Sequence, residues 1–192
     1  MTLIMVGKRK EPETIKTEEI HLNMLSKGSP GITSEIGESL AQAAAVCLED
    51  QQHSPGTELS IDGDFCGVFF LLWDDVTNQM RRSLADMQEA TELGACGLAV
   101  LLVEKLTSLR VVQRAYKGTG FDYWLGREDD IGELFQGKKR LEVSGILRGN
   151  ESTLRSRVLK KLRQTDQSDD MGLPAVVVVV EFSAPRSRVV KK

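Results

Sequence analysis

The 192-residue chain has few of the side chains on which enzyme chemistry most often depends. Its two histidines, His21 and His53, and its three cysteines, Cys47, Cys66 and Cys96, are far apart in the sequence. An odd number of widely spaced cysteines gives neither a disulfide framework nor a zinc-binding pattern. Two isolated histidines argue against histidine-based catalysis and multi-histidine metal sites. Any chemistry must therefore rest on carboxylates, lysines and hydroxyl groups.

Long apolar segments are also missing. No run approaches the roughly 20 apolar residues that a helix needs to cross a bilayer. Residues 1–6 are apolar, but Lys8, Arg9 and Lys10 follow at once, so this segment lacks the longer apolar core of a signal peptide. With 41% hydrophobic and 28% charged residues, the composition is that of a globular protein. We therefore expect a cytoplasmic protein that does not bind membranes.

The formal net charge of −3 conceals an uneven distribution of charge. Residues 138–192 hold 13 Lys and Arg against 6 Asp and Glu, about +7, and the rest of the chain carries about −10. A basic C-terminal third is typical of proteins that contact phosphates, which makes nucleic acid the expected partner. The alternative is that these charges only solvate a surface helix and the C-terminal residues.

The first part of the chain is predicted to contain an arm, a helix and a β-hairpin. Residues 1–32 are polar and end in Lys-Gly-Ser-Pro-Gly, which indicates a flexible N-terminal arm. A helix capped at residue 33 or 34 should extend to about residue 53. Residues 58–61 and 66–73 flank an Asp-Gly-Asp turn as two strands, and the second is apolar enough to be buried on both faces.

The rest of the chain alternates between helical and extended patterns. Strands that precede and follow a crossover helix predict a single α/β domain over residues 33–192, with a mixed central sheet. The predicted elements are a helix over 86–107, strands over 109–115, 121–125 and 140–146, a basic helix over about 150–164 and a strand over 175–182.

Two carboxylates interrupt strands that should be buried. Because strand side chains alternate, Asp122 shares a face with Trp124, and Glu142 shares a face with Ser144. If the strands are neighbours, the two carboxylates converge, and their mutual repulsion and burial favour a divalent cation. Oxygen ligands alone suit Mg²⁺ or Mn²⁺, which can polarise a phosphodiester.

A purely structural interpretation of the same carboxylates stays open. One of them can lie at an exposed strand edge, while the other pairs with Lys139 or Arg140. A single acidic residue in a strand usually has such a role.

The element order and two short motifs resemble the core of the PD-(D/E)XK nuclease superfamily, the restriction-endonuclease-like proteins. The motifs are Gly-Thr-Gly-Phe-Asp, ending at Asp122, and Leu-Glu-Val-Ser, which contains Glu142. The resemblance covers about residues 86–182 and implies an αβββαβ core, here with an N-terminal helix and hairpin as an extension. It also implies Asp122 and Glu142 as metal ligands, with the Val143 carbonyl as a possible third.

Further site residues follow from the same resemblance. A glutamate on the first core helix often belongs to such sites, and Glu89 and Glu92 are the candidates. Ser144 stands where the family has a lysine that orients water and stabilises charge, and a serine supplies no positive charge. Either a lysine from elsewhere replaces it, or cleavage is lost. The available lysines are Lys117, Lys139, Lys160 and Lys161, of which Lys160 is the catalytic candidate.

The resemblance implies a nuclease, with a possible role in bacterial DNA processing or defence. Nucleic-acid contacts are expected from Lys117, Arg155, Lys161 and Arg163, mostly on the basic helix. The alternative is an inactive nuclease-like module that binds nucleic acid or a partner protein. The arm and the apolar strand over 68–73 also leave room for a homodimer, because an exposed strand edge would need covering.

Overall fold

The computed structural model describes residues 11–127 and 138–192, and within them the protein has a mixed nine-stranded sheet with helices on both faces. The strands are β1 (Glu13–Thr14), β2 (Glu18–His21), β3 (Thr57–Gly63), β4 (Phe65–Leu72), β5 (Arg110–Arg114), β6 (Tyr123–Gly126), β7 (Lys139–Ile146), β8 (Ala175–Glu181) and β9 (Arg186–Lys191). The α-helices are α1 (Ser34–Asp50), α2 (Asn78–Ser83), α3 (Met87–Thr107) and α4 (Glu151–Thr165). Short 3₁₀ helices span Leu22–Lys27 and Asp166–Met171.

The second half of the sheet has the predicted element order. After α3, strands β5, β6 and β7 form an antiparallel meander, α4 crosses over, and β8 returns parallel to β7. The sheet continues through β9 to β3 and β4, which are antiparallel to each other as the predicted hairpin. The expectation of an α/β fold with a mixed central sheet is confirmed.

Local signals in the sequence place the helices. Thr33 accepts a hydrogen bond from the Ile36 amide at the start of α1, and Asp86 accepts from two amides at the start of α3. Asn150 caps α4 in the same way. Each cap satisfies amide groups that the first turn of a helix leaves without a partner.

The two faces of β8 show the layering. Val176, Val178 and Val180 pack in the large core with α1 and α3, whereas Val177 and Val179 pack with α4. Strand alternation gives the other strands the same division. Tyr123 and Val143 belong to the α1–α3 core, so the residues that alternate with them on β6 and β7 face α4.

The expectation of an N-terminal arm is wrong for residues 11–32, and residues 1–10 lie outside the described part. β2 pairs in parallel with β4, and Ile20, Leu22 and Leu25 are buried. Farther along, Ser29 and Gly31 donate hydrogen bonds to the Val111 carbonyl of β5. This segment is polar on average, but its few apolar residues are spaced so that they reach the core.

Other differences concern strands. Strand β4 is buried mainly on one face, since Phe65, Phe69 and Leu71 are buried but Cys66 is exposed. Its outer side pairs with β1 and β2, so this edge needs no second copy of the chain to cover it. Most of the connection between β6 and β7, residues 128–137, lies outside the described residues. Among the described helices, none is both long and apolar enough to cross a membrane.

Candidate active site

Asp122 is held against the middle of β7, just where β6 begins. Its amide donates to the Leu141 carbonyl at 2.8 Å, which continues the pairing of β6 with β7. One oxygen of its carboxyl group, Oδ2, accepts a hydrogen bond from the Val143 amide at 2.8 Å. The Asp122 carboxylate therefore lies against the backbone of β7 at Val143.

Glu142 is fully buried on the neighbouring strand. Its Oε1 atom accepts a close hydrogen bond from the Lys161 ammonium group, with which it forms an ion pair. Its Oε2 atom is also buried and has no hydrogen-bond partner among the residues that the structure describes. A buried carboxylate oxygen without a donor is costly, because the interior replaces the water that would otherwise solvate it.

The two carboxyl groups influence each other directly. Burial and, to a smaller extent, the charge of Asp122 raise the pKa of Glu142, Lys161 opposes both effects, and the pKa is about 7 as a result. Ionised carboxylates have no proton to donate, so the contact between these two groups is repulsive. A shared proton or a bound cation removes this repulsion.

The donor set fits a hard divalent cation better than a soft one. Both side chains offer oxygen atoms, and the Val143 carbonyl leaves the strand on the same side as the amide that binds Asp122. Within the described ranges, no group of three or more His, Cys, Asp or Glu side chains is placed to hold a metal. A cation would therefore need water to complete its coordination, which is common for Mg²⁺.

A crevice of about 520 Å³ lies in front of Asp122, between α3, the start of β6, β7 and α4. Glu142 lies behind it, in contact with Lys161 of its wall. Gly145 forms part of the floor, where the Thr91 carbonyl would be only 2.4 Å from any Cβ atom, so α3 can approach β7 closely. The crevice contains seven residues singled out from the sequence: Glu89, Glu92, Asp122, Val143, Ser144, Lys160 and Lys161.

The lysine beside Glu142 differs from the one expected. The sequence interpretation assigned Lys160 to catalysis and Lys161 to nucleic-acid binding, but it is Lys161 that contacts Glu142. Lys160 is exposed at the rim of the same crevice. Adjacent helix residues point about 100° apart, so the choice between them depends on a helix rotation that the sequence pattern did not define.

Ser144 has a cationic partner that the sequence analysis missed. The Arg157 guanidinium donates to Ser144 Oγ at 2.8 Å and to the Gly145 carbonyl at 3.2 Å. Arg157 precedes Lys161 by four residues on α4, so both side chains emerge on the same face of the helix. This spacing was the available signal, since two cations one turn apart indicate a single positive stripe.

A second groove, of about 760 Å³, adjoins the crevice. The two share Arg114, Asp122, Lys160 and Gln164. Of the expected nucleic-acid contacts, Lys117 and Arg163 line this second groove, and Lys161 lines the crevice. Arg155 is exposed and lines neither of them.

Cys96 lines the crevice but is not a nucleophile there. Burial raises the pKa of its thiol to about 12, and the nearby charge of Asp122 acts in the same direction. The thiolate is the reactive form of cysteine, and it is scarce at neutral pH when the pKa is this high. Cys96 therefore serves packing against the core.

Comparisons of the chain with protein-family models, with curated proteins and with solved structures found no match.

Proposed function

We propose that the protein is a divalent-metal-dependent nuclease whose reaction centre is the Asp122–Glu142 pair. The observation that carries this proposal is the buried Glu142 Oε2 atom, which has no donor among the described residues and lies beside a second carboxylate. A cation at this point would satisfy that oxygen and neutralise both charges.

Asp122, Glu142 and the Val143 carbonyl are the groups that would hold the ion, with Mg²⁺ or Mn²⁺ as the candidates. When bound there, such an ion supplies Lewis acidity toward a phosphodiester and lowers the pKa of a water molecule. Lys161 and Arg157 place two positive charges beside this centre, where they can stabilise the negative charge that develops on phosphate. Lys160 and Arg163 extend the positive surface toward the flanking phosphates.

The order of helix, three antiparallel strands, helix and strand supports placing the fold with the PD-(D/E)XK nucleases. In this proposal, the positive charge missing at Ser144 comes from α4 through Arg157 and Lys161. A role in bacterial DNA processing or defence belongs to the same proposal.

A second candidate is a module that binds nucleic acid without cleaving it. One observation favours this alternative: Lys161 already forms an ion pair with Glu142, so part of the negative charge is neutralised without a metal. Glu89 and Glu92 line the crevice, but they do not complete a group of ligands with the two central carboxylates in the described structure.

A cleavage assay distinguishes the two candidates. We expect the wild-type protein to cleave DNA or RNA in Mg²⁺ or Mn²⁺ and to be inactive in a chelator. Asp122→Asn and Glu142→Gln each remove a charged ligand and should lower the cleavage rate by about 10- to 100-fold. The rate is measured on labelled single-stranded and duplex substrates, with the fold of each variant checked by circular dichroism.

Glu58→Gln is the matched control, because Glu58 is an exposed carboxylate on β3, three strands away from β7. It should cleave like the wild type. Cleavage that survives in both Asp122→Asn and Glu142→Gln would refute the proposed centre. Metal-independent binding without any cleavage would favour the second candidate.

A further inference from the structure

An exposed aromatic residue, Tyr116, lines the groove that adjoins the crevice. Tyr116 is 78% exposed, whereas the neighbouring Tyr123 and Trp124 are buried in the protein. In the described part of the chain, the ring stacking and cation–π contacts all involve other rings. A ring this exposed is little stabilised by burial in the protein, so its apolar surface is accessible to a ligand.

The turn that carries Tyr116 is held in place. The Thr119 amide and hydroxyl both donate to the Tyr116 carbonyl, at 3.3 Å and 2.9 Å. At Gly120, where φ is +81°, any Cβ atom would lie 2.7 Å from the Gln164 carbonyl at the end of α4. The turn therefore packs directly on α4, and the fold defines where the backbone of Tyr116 lies beside the groove.

The charge of the groove matches a phosphate backbone. Four basic side chains, Arg114, Lys117, Lys160 and Arg163, line it, and Asp122 is the one carboxylate among its lining residues. Asp122 lines both the groove and the crevice, so a strand that passes the reaction centre can continue into the groove with these cations. Cations in a groove neutralise phosphates without reading sequence.

We propose that this groove binds a single-stranded segment of nucleic acid next to the reaction centre, with an unpaired base stacked on Tyr116. In a duplex, each base is stacked between its neighbours, so the Tyr116 ring would contact only the sugar–phosphate backbone. An unpaired base can turn its flat face to the ring, and base–aromatic stacking of this kind tolerates any sequence. The substrate class is therefore nucleic acid with unpaired nucleotides at the site. This inference rests on the proposed nucleic-acid substrate but does not require cleavage.

The test measures binding by fluorescence anisotropy, with the full chain in a chelator so that cleavage does not interfere. The probes are a labelled thymidine strand of about 20 nucleotides, an abasic strand of the same length and a blunt duplex. Tyr116→Ala should weaken binding to the thymidine strand by about tenfold, because one base loses its stacking partner. Tyr116→Phe keeps the ring and should bind like the wild type.

Neither Tyr116 variant should change binding to the abasic strand, which has phosphates but no bases. Ile36→Ala is the control for loss of an exposed apolar side chain, since Ile36 is 49% exposed on α1. Equal binding of the thymidine strand by the wild type and Tyr116→Ala would overturn the inference, as would abasic binding as tight as thymidine binding. If the wild type binds none of the probes, the proposed nucleic-acid function fails as well. Binding with the expected pattern but no cleavage in Mg²⁺ upholds the inference and refutes only the nuclease.

Discussion

Glu142→Gln should abolish a fall in stability that the wild-type protein shows between about pH 4.5 and pH 7. Burial and the charge of Asp122 raise the pKa of Glu142 from 4.5 to about 7 in the folded protein. Across this interval the folded state holds a proton that the unfolded state has released, so the free energy of unfolding decreases as the pH rises. A glutamine has no charge to bury and no proton to lose.

The size of the effect follows from the shift in pKa. At 1.36 kcal/mol per pKa unit, the shift corresponds to about 3 kcal/mol of stability, fully present below pH 4.5 and lost above pH 7. In a chelator, Glu142→Gln should therefore be more stable than the wild type at pH 8 and have a smaller advantage, or none, at pH 4.5. Urea unfolding at a series of pH values measures this difference.

Glu58→Gln is again the control and should follow the wild-type pH profile, because Glu58 is exposed. A profile of Glu142→Gln parallel to that of the wild type would contradict the assigned environment of Glu142. Addition of Mg²⁺ at pH 8 gives a second measurement. A ligand that binds only the folded state raises stability, so the wild type should gain and Glu142→Gln should gain less.

Arg140→Met should destabilise the protein by about 3 kcal/mol, through the loss of a buried hydrogen-bond network. The Arg140 side chain is buried, and its guanidinium donates to the Thr165 and Leu173 carbonyls, Ser168 Oγ and Asp169. These acceptors lie on the last residue of α4 and on the segment that leads from it into β8. Methionine fills similar space but leaves the buried carbonyls and the hydroxyl without this donor.

Chemical denaturation of the wild type and Arg140→Met measures the loss. Arg148→Met is the matched control, because the Arg148 side chain is 71% exposed, and it should change stability by less than about 1 kcal/mol. Arg140→Lys keeps the charge but not the planar fork of donors, so it should recover only part of the stability. An Arg140→Met protein as stable as its Arg148→Met control would show that the network contributes little.

The proximity of Asp122 and Glu142 was predictable from the sequence because it depends on regular strand geometry. Alternation on two adjacent strands decides which face each carboxylate occupies, and strands that follow each other in the sequence are usually neighbours in a sheet. The sequence did not predict which side chains of α4 reach the two strands. Lys161 and Arg157 reach the strands only at one rotation of the helix, and several rotations fit its amphipathic pattern.

Strand β9 shows why the rest of the fold was harder to predict. Its sequence, Arg-Ser-Arg-Val-Val-Lys, reads as a charged terminal segment, yet it lies between β8 and β3 inside the sheet. Arg188 is accommodated there because Asp62 on β3 and Glu151 on α4 form ion pairs with it. Such pairing joins residues far apart in the chain, so no local pattern in the sequence reveals it.

The segment that precedes α1, residues 18–31, has a consequence for self-association. β2 covers the outer side of β4 at one edge of the sheet, and the hydrogen bonds of Ser29 and Gly31 to Val111 cover part of β5 at the other. Uncovered strand edges are templates for pairing with other chains. Loss of residues 18–31 would therefore leave backbone groups of β4 and of β5 unpaired at the two ends of the sheet, and would permit open-ended polymerisation.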